Sequence, residues 1–139
     1  MDLDNLADEY LKALALKDLN ESHHKIRVIV KEIARNLPKD KLGNFEWFAA
    51  ALKDSSKKWF VAKIIEKVSP VPKALLDDLV LAAMLEDNPS LNKLFIIPCV
   101  KTFGPKLVKE RMALFSNHPK VIEVNGFAQT EYWVTDANA

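Results

Sequence analysis

The sequence predicts an all-α fold built from antiparallel helix pairs, and three observations carry that expectation. The first is a loose repeat. Leu19-Asn20-Glu21-Ser22, Leu52-Lys53-Asp54-Ser55 and Leu85-Glu86-Asp87-Asn88 each close one apolar helical pattern and open the next, with their leucines 33 residues apart. A fourth joint, Phe115-Ser116-Asn117-His118-Pro119, follows after 30. Self-similarity at such a period, carried by paired amphipathic helices, is the sequence form of a stacked helical array. The second observation is composition: only three glycines in 139 residues, with leucine, alanine, lysine and acidic residues plentiful, a mixture of strong helix formers. The third is that apolar residues recur at i, i+3, i+4 and i+7 through most of the chain.

The elements follow from caps, breakers and apolar faces. A first helix is expected from about Asp2 to Leu19, with Leu3, Leu6, Ala7, Tyr10, Leu11 and Leu14 on its apolar side. Asp2, Asp4, Asp8 and Glu9 suit the positive end of its dipole. A second helix opens at Asn20 or Ser22, both good caps, and ends at Leu37-Pro38, because proline disfavours helix in the residue before it. A third runs from about Asn44 to Leu52, with Phe45, Phe48, Ala49 and Leu52 on one face. A fourth follows Asp54-Ser55 and stops before Ser69-Pro70. The fifth opens at Val71-Pro72, where proline in the first turn loses no hydrogen bond, and reaches about Glu86. The sixth spans Asn88 to Phe103-Gly104, and the seventh starts at Pro105 and reaches about Ser116. Beyond that, His118-Pro119 favours a further short helix or turn, while Val121 to Val124 followed by Asn125-Gly126 also reads as a small hairpin. Phe127, Tyr132, Trp133 and Val134 are expected to cover the open end of the array, and Ala137-Asn138-Ala139 to fray.

The helix pairs, at about 2–37, 44–68 and 72–103, with a cap at 105–135, resemble HEAT-like repeats in spacing and in their short joints. The resemblance is one of pattern, without a diagnostic motif, and covers roughly Leu3 to Ser116. It implies one domain over 1–139: a short right-handed α-solenoid with a C-terminal cap. An irregular bundle of six to eight helices is the alternative. The tetratricopeptide and ankyrin signatures are absent.

Composition excludes several functions. The formal net charge is +1, so bulk charge selects no partner. Cys99 is the only cysteine, so neither an internal disulfide nor a thiolate metal cluster is possible. It lies in an apolar run, where a buried inert thiol is the expected state rather than a nucleophile. The acidic start Met1-Asp2-Leu3-Asp4 has no basic-then-apolar leader, and no apolar run approaches the ~18 residues of a membrane span. A cytoplasmic protein that does not engage a membrane is therefore expected. His23-His24, being adjacent on a helix, point about 100° apart and do not suit one metal. No His-Glu-x-x-His, Gly-x-Ser-x-Gly or glycine-rich phosphate loop occurs. Asp77-Asp78 is expected to be solvated or to cap its helix. The chain reads as a non-enzyme without cofactor or metal.

In HEAT-like proteins the second helix of each pair lines the concave surface. Here the second helices carry ten basic and two acidic residues, and the first helices four basic and eleven acidic. A basic concavity draws anionic partners. On the second helix Ile26, Ile29, Val30, Ile33 and Leu37 form the core stripe, which leaves His24, Val28, Lys31 and Arg35 opposite. On the fourth, Phe60, Val61, Ile64, Ile65 and Val68 form the core stripe, which leaves Trp59, Lys63 and Lys67 opposite beside Ser56. On the sixth, Leu94, Pro98 and Lys101 correspond. Pro98 should kink or break that helix, freeing the Leu94 carbonyl for water, a side chain or a partner. The expected partner-binding set is thus His24, Val28, Lys31, Arg35, Trp59, Lys63, Lys67 and Lys101. Trp59 is its aromatic anchor, unless it packs against a neighbouring helix as large aromatics usually do; the lysines line the groove, unless they are a merely solvated face. The partner is a protein with an acidic or amphipathic segment. Nucleic acid is the alternative, since HEAT-like alkylpurine DNA glycosylases are similar in design; they are longer, and no catalytic acid aligns with this groove.

Overall fold

The structure is a computed structural model and describes residues 2–36 and 42–136. Among these residues the chain is all-helical, without a strand. In chain order the helices are α1 (Leu3–Leu14), α2 (Leu19–Asn36), α3 (Leu42–Ala51), α4 (Lys57–Glu66), α5 (Leu76–Leu85), α6 (Lys93–Phe103), α7 (Pro105–Ala113), α8 (Pro119–Glu123) and α9 (Gly126–Asp136). A 3₁₀ turn, Lys73–Leu75, leads into α5. The chain forms two compact units, Met1–Val68 and Ser69–Ala139. The predicted helix end at Leu37-Pro38 and the trailing Ala137-Asn138-Ala139 lie outside the described residues. None of the described helices is long and apolar enough to cross a membrane.

In the first unit three aspartates, Asp2, Asp18 and Asp54, mark where α1, α2 and α4 begin. The Asp2 carboxylate accepts from the Asn5 N–H at 3.0 Å and starts α1. The Asp18 carboxylate accepts from the Asn20 and Glu21 amides at 2.9 and 3.2 Å, so α2 starts one residue after it rather than at Asn20 or Ser22. Asp54 does the same for the Ser56 and Lys57 amides at 2.8 and 2.9 Å. A carboxylate so placed satisfies amides that the first helical turn leaves without carbonyl partners and meets the positive dipole end. The first helix therefore stops at Leu14, well short of the expected Leu19.

The core of this unit is built on α4, which packs against α1, α2 and α3. Phe60, Val61, Ile64, Ile65 and Val68 are all buried, as are Ile26, Val30 and Ile33 of α2; Ile29 is half-buried. The Tyr10 ring stacks on Phe60 with centroids 4.7 Å apart, and Trp47 meets Phe60 edge-on at 6.4 Å. Burial pushes the Tyr10 phenol above its ordinary value of 10.0. Stacking Tyr10 on Phe60 sets the rotation of α1: Leu3, Ala7, Tyr10 and Ala13 turn inward. Leu11 and Leu14, expected on the apolar side, are instead 37% and 51% exposed. The Trp47 indole N–H donates to Asp4 at 2.7 Å, tying α3 to the start of α1.

In the second unit α5 and α6 pack together and both contact α7 and α9. Leu76, Leu79, Val80, Met84, Phe95, Ile96, Cys99, Val100, Val108, Met112, Val121 and Val134 fill the interior. The sixth helix begins at Lys93, later than expected, because residues 88–92 form a turn: the Leu91 amide donates to the Asn88 carbonyl at 3.0 Å and the Ser90 amide to the Asn88 side chain at 2.9 Å. Pro98 does not break α6, which is continuous from Lys93 to Phe103. Phe95, Ile96, Cys99 and Val100, on both sides of the proline, are buried, and tertiary packing of this kind outweighs a missing hydrogen bond. Gly104, at φ 85°, closes α6.

Asn125-Gly126 makes a corner between two helices rather than a hairpin. Asn125 takes φ 56°, the left-handed conformation that asparagine tolerates at a helix end as it does in a hairpin turn. Gly126 then starts α9 directly against α5, where a Cβ would collide with the Met84 carbonyl. Of the expected covering residues Val134 is buried and Phe127 and Trp133 are half-buried, but Tyr132 is 59% exposed, because the α9 face that meets α5 and α6 carries Thr130 and Val134 rather than Tyr132.

Asp77 is not simply solvated. Its two carboxylate oxygens accept from Arg111 Nε and an Arg111 terminal nitrogen at 2.7 and 2.6 Å, a bidentate pair joining α5 to α7. The hydrogen-bonded guanidinium holds the Asp77 carboxyl below its ordinary value of 3.8. A carboxyl lowered on folding contributes stability that is present above the unfolded value and is lost as pH falls through the folded one. The melting-temperature gap between the wild type and Asp77→Asn is therefore expected to be level above about pH 5 and to close in stronger acid. Both side chains remain partly in solvent, so the gap should be small and should shrink with salt. A gap that widened in acid would exclude the pair as its source.

Candidate partner-binding groove

The first-unit helices α1 and α2 are joined by four residues, Ala15 to Asp18, and pack along each other; a link that short makes them antiparallel. One side of this pair is covered by α4. Along the pair runs an open groove of about 440 Å³, lined by Glu9, Lys12, Ala13 and Leu16 from the first helix and its joint, and by His24, Lys25, Val28 and Ile29 from α2. Its apolar lining residues are Ala13, Leu16, Val28 and Ile29. The polar lining residues, Glu9, Lys12, His24 and Lys25, are all exposed. Val28 is 52% exposed although it is β-branched and apolar. It is exposed because α2 turns its Ile26-Val30-Ile33 stripe toward the core, and Val28 lies some 200° round the helix from Ile26.

Two of the eight expected site residues, His24 and Val28, line this groove. Lys31 and Arg35 lie farther along α2, exposed on the helix side that carries Val28. With Lys25 and Arg27 they give the solvent side of α2 four exposed cations. Lys25 Nζ lies 3.4 Å from Glu21 in an exposed pair one turn apart, an arrangement worth only a few tenths of a kcal/mol and so easily exchanged for a partner's carboxylate. Lys63 and Lys67 are exposed on and just after α4, outside the groove lining. Trp59 is half-buried, and the Lys58 ammonium sits 4.8 Å from its ring centroid. Neither the expected freely exposed anchor nor a core residue, it keeps part of its ring in solvent. Lys101 is exposed on α6, in the second unit.

The contribution of α1 was not expected from the sequence. Its charges are mostly acidic, which pointed to an outer helix, yet Lys12, Ala13 and Leu16 form one wall of the groove. The available signal was Leu16: it falls beyond the last turn of α1 and out of step with the Leu3-Ala7-Tyr10 stripe.

The second unit holds a smaller recess of about 380 Å³, lined by Pro89, Ala128, Gln129, Tyr132 and Trp133. The Trp133 indole N–H is shared between the Pro89 carbonyl at 3.1 Å and the Asn92 side-chain oxygen at 2.8 Å, and the Lys93 ammonium lies 5.2 Å from the Trp133 ring centroid. These contacts occupy Trp133 in joining the 88–92 turn to α9.

Burial pushes the Cys99 thiol up to about 12, which leaves it protonated and unreactive at neutral pH; its S–H reaches the Phe95 carbonyl at 3.4 Å. Among the described residues no three His, Cys, Asp or Glu side chains gather as a metal site. Compared with protein-family models, with curated proteins and with solved structures, the chain finds no match in any of the three.

Proposed function

We propose that the protein is a non-catalytic, cytoplasmic binding module whose α1/α2 groove holds an acidic amphipathic segment of a protein partner. The single observation that carries the reading is the groove itself: an apolar lining that includes a half-exposed Val28, beside Lys12 and Lys25, whose two positive charges outnumber the one negative charge of Glu9. Apolar linings between helices take apolar anchor side chains, and charges beside them steer encounter and select partners by sign. Lys31 and Arg35, farther along α2, extend the positive field in which an acidic segment would arrive. At the level of fold, the HEAT-like reading goes with this proposal. It is supported by the tight packing of consecutive helices as pairs, α1 with α2 and α5 with α6, and a right-handed stack of such pairs is the arrangement it calls for.

The reading is tested by placing a photo-crosslinking amino acid at position 28 and, as a control, at exposed Lys109 of α7, then irradiating living cells. The expected result is one protein adduct specific to position 28, mapping to a segment that combines acidic and apolar residues and disappearing when Lys12 is changed to glutamate. An adduct to nucleic acid would overturn the reading in favour of a nucleic-acid module. Equal adducts from both positions, or none at position 28, would overturn the groove as a site.

A further inference from the structure

We propose that the recess of the second unit takes the Tyr132 side chain of a second copy of this chain, so that α9 meets α9 across a two-fold axis and each copy fills the other's recess. The surface lies wholly within the second unit and is independent of the α1/α2 groove. Three observations carry it. The first is a ring without a cover: Tyr132 is 59% exposed, while its neighbours Trp133 and Val134 are half-buried and buried. The second is a space without a filler: the recess of about 380 Å³ beside Pro89, Ala128, Gln129 and Trp133. A cavity of roughly 150 Å³ already holds a benzene-sized ring.

The third is the polar chemistry of the recess. The Trp133 N–H is shared between Pro89 and Asn92, so the indole has no donor left for a ligand. The Gln129 side-chain oxygen is the reverse, an acceptor shut off from water that accepts from nothing. A buried acceptor without a donor is unfavourable, and this oxygen gives up no bond in turning toward an entering group. The ring that suits such a recess brings its own donor, as a phenol O–H does.

That the phenol belongs to a second copy follows from placement. Ala128 and Tyr132 are one turn apart on α9, as are Gln129 and Trp133, and residues four apart share a helix face. The ring therefore stands at the edge of its own recess. An isologous contact needs this arrangement, because residue i must meet j while j meets i. A foreign tyrosine would fill the recess and leave Tyr132 in water, whereas a second copy covers both at once. Near the axis each Tyr132 ring packs beside its counterpart and reaches the other copy's Gln129. Glu131 lies some 200° round the helix from Gln129, so the glutamates of the two copies stay outside the contact. Two tyrosines and their walls bury on the order of several hundred Å², below the roughly 1,200 Å² of stable complexes, so the dimer is weak and forms as concentration rises.

Sedimentation equilibrium of the full chain tests this from about 10 μM to 1 mM, the range of weak complexes. The average mass is expected to climb from that of one chain toward that of two. Tyr132→Ala should hold it at one chain throughout, with circular dichroism confirming that loss of an exposed ring leaves the helices intact. Tyr132→Phe keeps the ring and loses the donor; Gln129→Met keeps the bulk and loses the acceptor. Each should raise the dissociation constant by about threefold to tenfold, the range for one net hydrogen bond, and the two together by no more than either alone. Val28→Asp, in the first unit, should change nothing. A wild type that stays monomeric throughout, or an association that Tyr132→Ala leaves intact or Val28→Asp abolishes, would overturn the proposal. Loss with Tyr132→Ala alone, the phenylalanine and methionine variants behaving as wild type, would overturn the bond to Gln129 and leave the ring as the filler.

Discussion

Truncating Phe60 to alanine is expected to destabilise the first unit by about 3–5 kcal/mol, the upper range for a buried aromatic. Phe60 is fully buried, and its ring is where three helices meet: Tyr10 of α1 stacks on it and Trp47 of α3 abuts it edge-on. The loss has two parts: the transfer energy of the ring itself, and the void it leaves between Tyr10 and Trp47. Aromatic contacts of this geometry add about 0.5–1.5 kcal/mol beyond burial. Thermal or urea unfolding followed by circular dichroism reads the total, and Trp47 emission should respond even where the variant stays folded. A variant that melted with the wild type, its Trp47 emission unchanged, would mean that α4 is not the centre of this unit. The groove sits on α1 and α2, whose relative placement depends on this core, so Phe60→Ala should also weaken whatever the groove holds without touching it.

The second large effect is expected from adding one methyl group. Gly126→Ala should cost at least the 1–3 kcal/mol usual for overpacking, and more if the backbone cannot move. The obstacle is the Met84 carbonyl, a backbone group held in α5, rather than the tip of a side chain that can swing away. Asn125→Gly is the matching control: its φ of 56° is one that glycine adopts at no steric cost, so unfolding should change little. Gly104→Ala makes a third point. Nothing lies within 4 Å of an added Cβ there, so its effect should come only from the positive φ. Equal, small effects at Gly104 and Gly126 would show that α9 does not approach α5 as described.

The sequence by itself determined the all-helical class, the order of elements through Ala113 and the faces of α2 and α4. Those faces were legible because helical periodicity is a local property: Ile26-Val30-Ile33 and Phe60-Ile64-Ile65 repeat at intervals that only a helix turns to one side. The same periodicity put His24, Val28, Lys31 and Arg35 on the solvent side of α2. The ends of elements were less legible, because Asp18 and Asp54 compete with neighbouring Asn and Ser as caps and only the realised hydrogen bonds decide between them. Tertiary structure alone decided the rest. The pairing of Asp77 with Arg111 joins residues 34 positions apart, a relation that no local pattern records. The rotation of α1 was set by Tyr10 meeting Phe60, which turned Leu11 and Leu14 outward and brought Lys12 and Leu16 alongside Val28. Asn125-Gly126 favours a positive φ in any fold. Whether that φ closes a hairpin or a helical corner depended on the Met84 backbone lying close enough that only glycine fits beside it.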